Sequence, residues 1–163
     1  MNSILLVYTW LHVAISLLGI GSGFVVIWGL ITDKRLDGWT KFFLTTTVLT
    51  SVTGFGFPAD HFMPSHALGI ISLVVLALAV IARYPRQLLG AWRWIYVIAA
   101  VAAQYLNFFV LIVQAFQKVP ALKATAPTQT EPPFVIAQLA ALVLFFLLGI
   151  FAVIRFRPGA QRQ

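Results

Sequence analysis

The side chains in this sequence that could bind a metal or move a proton near neutral pH are few. There are three histidines, His12, His61 and His66, and four acids, Asp33, Asp37, Asp60 and Glu131. Two of the histidines and Asp60 fall in one stretch, residues 54–66, GFGFPADHFMPSH, which also holds Pro58 and Pro64 and has no Lys or Arg. Neutral imidazole suits Zn, Cu, Fe and Ni, so Asp60, His61 and His66 form a candidate metal set. Two imidazoles from different helices can also hold a b-type haem axially, which makes His12, His61 and His66 candidate cofactor ligands. The spacing His61-Phe-Met-Pro-Ser-His66 is neither HExxH nor a Cys/His array. The competing reading makes these ordinary interfacial residues: His12 at headgroup level, Asp60 in a turn or helix cap, His66 in a helix first turn. That reading leads, and the cofactor, if any, stays unassigned.

Catalytic readings have less to stand on. There is no phosphate loop, nucleophile elbow or dinucleotide fingerprint. Ser65, His66 and Asp60 supply the residue types of a triad without a motif that would fix their geometry. The sequence contains no cysteine, which excludes disulfides and thiolate chemistry.

Composition says what must position these residues. Of 163 residues, 61% are hydrophobic and only 9% charged, with a mean hydropathy of +0.96. A soluble fold of this size could not bury so much apolar surface. The lipid bilayer is the expected solvent and partner. The net charge of +7 sits in short loops beside apolar runs, with no recognition motif, so nucleic acid is not an expected partner.

Five apolar segments, at about 4–31, 39–57, 66–82, 94–117 and 133–156, predict an all-α integral membrane protein: one bundle of about five transmembrane helices forming a single domain. The N-terminal run lacks the basic start of a signal peptide and reads as a retained span. Spans two and three are short, and predict either two thin crossings or a re-entrant pair. Asp37 or Thr40 is expected to cap the second, and Ser65 the third. Residues 118–132 read as a polar outer loop. There is no convincing internal repeat.

Three sets of polar or small residues accompany the spans. His12, Ser16, Gly19 and Gly23 share one face of the first, and Gly19 with Gly23 makes a GxxxG pair suited to close helix packing. Thr46, Thr47, Thr50, Ser51, Thr53 and Gly54 form a broad face of the second. Gln104, Asn107 and Gln114 fall in one sector of the fourth, which predicts that this sector faces inward. Thr hydroxyls bonding back to their own helix and amides bonding across helices are the leading expectations. The Thr face or the amide sector as the lining of an oligomeric pore is the alternative.

The basic residues set an orientation. Lys34, Arg35 and Lys41, then Arg83, Arg86 and Arg93, then Arg155, Arg157 and Arg162 fall on one side, against Lys118 and Lys123 on the other. Nine against two predicts the N-terminus outside and the C-terminus in the cytoplasm, in a bacterial-type inner membrane. It also puts all three histidines, Asp60 and Glu131 on the outer side. Asp33 and Asp37 read as ordinary solvated charges. The leading functional reading is a non-enzymatic membrane subunit, accessory factor or small binding module. A haem- or metal-binding redox module is the first alternative, and a small oligomeric channel or transporter the second. A homo-oligomer or a larger membrane complex is the expected assembly.

Overall fold

The computed structural model describes residues 3–158. Arg162, counted above with the C-terminal end, lies outside them. Among the described residues there are helices and no strands. In order they are α1 (Ser3–Ile31), α2 (Asp37–Gly54), α3 (Pro64–Arg83), α4 (Trp92–Lys118), α5 (Pro120–Thr125) and α6 (Pro132–Arg155). Helices α1, α3, α4 and α6 are long and apolar enough to cross a membrane. The chain is thus a multi-pass helical membrane protein. Helix α2 is less apolar because of its Thr and Ser residues. Its 18 residues reach about 27 Å, close to the roughly 30 Å of a hydrocarbon core.

Helices α2 and α3 lie beside their neighbours from end to end. Leu36, just before α2, packs over Gly29 near the end of α1. At the other end of α2, Thr53 meets Tyr8 and His12 from the start of α1. His66 at the start of α3 stacks on Phe55, 5.6 Å between ring centroids, and Arg83 at its end pairs with Asp37. The two helices therefore run antiparallel over their full lengths and do not meet only at their tips.

The helix ends follow local chemistry, with some departures from expectation. Helix α1 closes in a Schellman turn. The Lys34 N–H donates to Gly29 O at 2.7 Å, and Asp33 takes a φ of 56° between them. Neither Asp37 nor Thr40 caps α2: its N-cap is Leu36, with no side-chain cap bond, and the Asp37 carboxylate goes instead to Arg35 and Arg83. Helix α2 ends at Gly54, because Phe57 precedes Pro58 and is steered away from helical dihedrals. The N-cap of α3 is Met63, not Ser65. Pro64 supplies a preset φ at the first helical position, and the His66 ring accepts the Met63 N–H at 3.1 Å. The segment expected as an outer loop is not all loop: residues 120–125 form α5, opened by Pro120 in the same way.

Helix α4 is the hub, packing against α1, α3, α5 and α6. Its small residues Ala99, Ala100 and Ala103 are buried and let neighbours approach on several sides. The core joins Val26, Leu30, Phe43, Leu76, Tyr96 and Phe145 from five helices. Helix α6 is attached on one side only, with Ala141, Phe145 and Ala152 its buried residues. Phe24, Phe108 and Phe145 pack at centroid separations of 5.5–5.9 Å where α1, α4 and α6 meet.

The tightest crossing is at Gly23. A Cβ there would overlap the Gln104 amide and lie 2.8 Å from the Phe43 ring, whereas one at Gly21 would meet nothing within 4 Å. Gly23→Leu is therefore expected to lower stability in detergent by about 1–3 kcal/mol, and Gly21→Leu by less than about 0.5. Equal losses in denaturant titrations would refute this packing.

Candidate functional site

The residues able to do chemistry divide into three places. Where α1 begins and α2 ends, the Thr53 hydroxyl lies 2.6 Å from Leu49 O, the back-bond typical of a helical Thr. Its single proton is engaged there, so at the 2.8 Å contact with His12 Nδ1 the oxygen accepts and the imidazole donates. His12 thus donates through Nδ1, and Nε2 is the ring nitrogen not engaged with Thr53. The Tyr8 hydroxyl donates to Thr53 O at 2.6 Å, a carbonyl in the last turn of α2 that also accepts the Gly56 N–H at 3.1 Å. Phe57 packs edge-on against both rings, 5.1 Å from each. A Cβ at Gly56 would overlap the Tyr8 hydroxyl, so glycine is what admits that hydroxyl. Beside it lies an open hollow of about 370 Å³ lined by Ile4, Leu5, Tyr8, Gly56 and Pro58.

The structure does not gather the candidate ligands. His66 is engaged with the Met63 N–H and stacks on Phe55. Asp60 and His61 are exposed in the turn between α2 and α3. Among the described residues no three His, Asp or Glu side chains lie close enough together to hold a metal ion. His12 meets Thr53 from the Thr face, a pairing that helical spacing within either helix alone does not reveal.

The second place is mid-bundle. Gln104 is fully buried, and its Nε2 donates to Ile20 O at 2.7 Å. Asn107 Nδ2 donates to the Thr47 hydroxyl at 3.2 Å. Gln114, expected in the same inward sector, is exposed. Thr46 back-bonds to Phe42 O at 2.8 Å and Ser51 to Thr47 O at 2.9 Å. The Thr50 hydroxyl and Gln104 Oε1 are buried without a partner among the described residues. Ser16 bonds back to His12 O at 2.7 Å. Gly19 faces the hydroxyls of Thr46 and Thr47, so the GxxxG face packs within this chain.

The third place is the opposite end. The Arg83 side chain is 2% exposed and its partner Asp37 70%. Arg83 also donates to Arg35 O at 3.0 Å and lies 5.1 Å over the Tyr96 ring. Asp33 accepts the Arg157 backbone N–H at 2.6 Å. Neither acid is merely a solvated charge. Arg93 donates to Val153 O and Phe156 O, closing carbonyls at the end of α6.

In the segment between α5 and α6, desolvation is the largest single influence on the Glu131 carboxyl and pushes it up. The bonds it accepts from the Thr128 hydroxyl and from the Thr128 and Thr130 N–H groups outweigh that and hold it below its ordinary 4.5. No family model matches the chain, and comparison with curated proteins and with solved structures finds no significant match.

Two outcomes are expected here. Thr53→Val should cost about 1 kcal/mol in thermal or denaturant unfolding, and His61→Ala less than about 0.5; the reverse order would remove the His12–Thr53 tie. Because its folded value is depressed, Glu131 steadies the loop above the ordinary carboxyl value, and this contribution is lost as pH falls through the folded value. Amide NMR shifts of Thr128 and Thr130 should titrate with a midpoint below 4.5, and Thr128→Ala should raise it. A midpoint that ignores that substitution would count against the loop geometry.

Proposed function

We propose that this chain is a five-pass protein of a bacterial-type inner membrane, N-terminus outside and C-terminus in the cytoplasm. Its role is non-enzymatic: a membrane subunit, accessory factor or small binding module whose working surface is the outer turn at residues 55–63. The observation that carries this reading is how the polar groups within the helices are used. His12 closes on Thr53, Asn107 on Thr47 and Gln104 on Ile20, so they tie this bundle together. The exposed Asp60 and His61 and the hollow beside Tyr8 and Pro58 remain for a partner. The full-length antiparallel run of α2 supports counting it as a fifth crossing, and the imbalance of basic residues supports the orientation.

The sequence has no cysteine, so single cysteines report without background. In intact cells, His61→Cys should react with a membrane-impermeant maleimide, and Lys34→Cys only after lysis. The opposite pattern sinks the orientation, and labelling of both before lysis sinks the five-pass count.

A second reading, a haem- or metal-binding module, rests on one observation. His12 donates through Nδ1, the arrangement by which a ligating histidine is usually oriented. It predicts a chromophore or stoichiometric metal in the purified protein that His12→Ala depletes. A featureless visible spectrum with no bound metal removes it.

A further inference from the structure

A groove of about 450 Å³ runs between α4 and α6, walled by Ile98, Val101 and Tyr105 on one side and Phe145, Gly149 and Val153 on the other. Gly149 keeps it open: the nearest atom to a Cβ placed there is Val101 Cγ1, at 3.6 Å. Neither helix contains an acid. One end of the groove is marked by a cation. Arg93 Nη1 donates to the carbonyl of Val153, itself a wall residue, at 3.1 Å, and among the described residues no other nitrogen of that guanidinium bonds to protein. Trp94, 44% exposed, stands one turn before Ile98 on the same face, where an interfacial ring belongs.

We propose that this groove binds one anionic phospholipid, with an acyl chain between α4 and α6 and the phosphate at Arg93. An acyl chain needs only apolar walls, and these walls offer it nothing polar but the Tyr105 hydroxyl. The head must be an anion, because a guanidinium with open donors stands where the walls end. A second copy is the poorer occupant. Copies inserted in the same direction would set their Arg93 ends side by side, like charge against like. The assignment holds whichever side of the membrane that end faces.

The test uses the full chain in detergent and native mass spectrometry with dioleoyl phosphatidylglycerol and dioleoyl phosphatidylcholine. The glycerol lipid should be retained at least roughly fivefold better, from about one favourable contact per basic residue near the surface. Arg93→Gln should reduce that preference, and Gly149→Leu should reduce retention of both lipids. Circular dichroism and elution profile establish that each variant is folded; should one fail, the wild-type comparison and the other variant still decide. Equal retention of the two lipids overturns the proposal, as does wild-type retention in both variants. So does displacement by inorganic phosphate, which would mark a headgroup-independent anion site. A change in protomer number on Gly149→Leu, in place of lipid loss, would make the groove an interface between copies.

Discussion

The Gln104 amide hydrogen-bonded to Ile20 O over Gly23 is the contact on which the bundle turns. In hydrocarbon an amide without a partner is costly, and water is not there to supply one. The Ile20 carbonyl can accept it because an oxygen has two acceptor sites and the helix uses only one. The amide reaches that carbonyl only because residue 23 has no side chain. Small residue and polar residue thus act as one unit: Gly23 brings α1 and α4 together, and Gln104 makes their register specific. Net bonds of this kind in membranes contribute about 0.6–1.7 kcal/mol. Their larger effect is on register: Gln104 Oε1 is already buried without a partner among the described residues, and other registers would strand the amide N–H as well.

The same economy of partners governs the end that carries most of the arginines. Arg83 is buried, yet its carboxylate partner is open to water, so the pair avoids desolvating both charges. Arg93 meets the carbonyls that α6 leaves open at its C-terminus, the favourable pole of the helix dipole for a cation. Residues that set the charge imbalance of the sequence therefore also close helix ends. At the other end the ties are neutral, His12 with Thr53 and Tyr8 with Thr53.

Much of this was legible in the residues. Apolar runs located the long helices, and the hydroxyl-rich face of α2 and the amides of α4 marked where it packs, since helix periodicity assigns faces. Periodicity does not say which face meets which. The pairings His12–Thr53 and Gln104–Ile20 span 41 and 84 residues and needed the fold. The start of α3 departs from expectation where side-chain preference competes with proline: Ser65 is a good cap by type, but Pro64 fixes the first turn two residues earlier, with Met63 as the cap. Gln114 shares a sector with Gln104 and Asn107 but lies near the end of α4, beyond the reach of the neighbours that bury the other two. Asp37 looked solvated because its partner, Arg83, is 46 residues away.

The 84-residue separation of Gln104 from its acceptor also orders assembly in time. When α1 and α2 enter the membrane they can pair at once, through Gly19 and the Thr46 and Thr47 hydroxyls. The amide that fixes α4 against them arrives only after α3 has been made and inserted. Until then the Gly23 notch stands empty, shaped for a side chain not yet synthesised. The early helices form a mould, and the hub of the finished bundle is cast into it late.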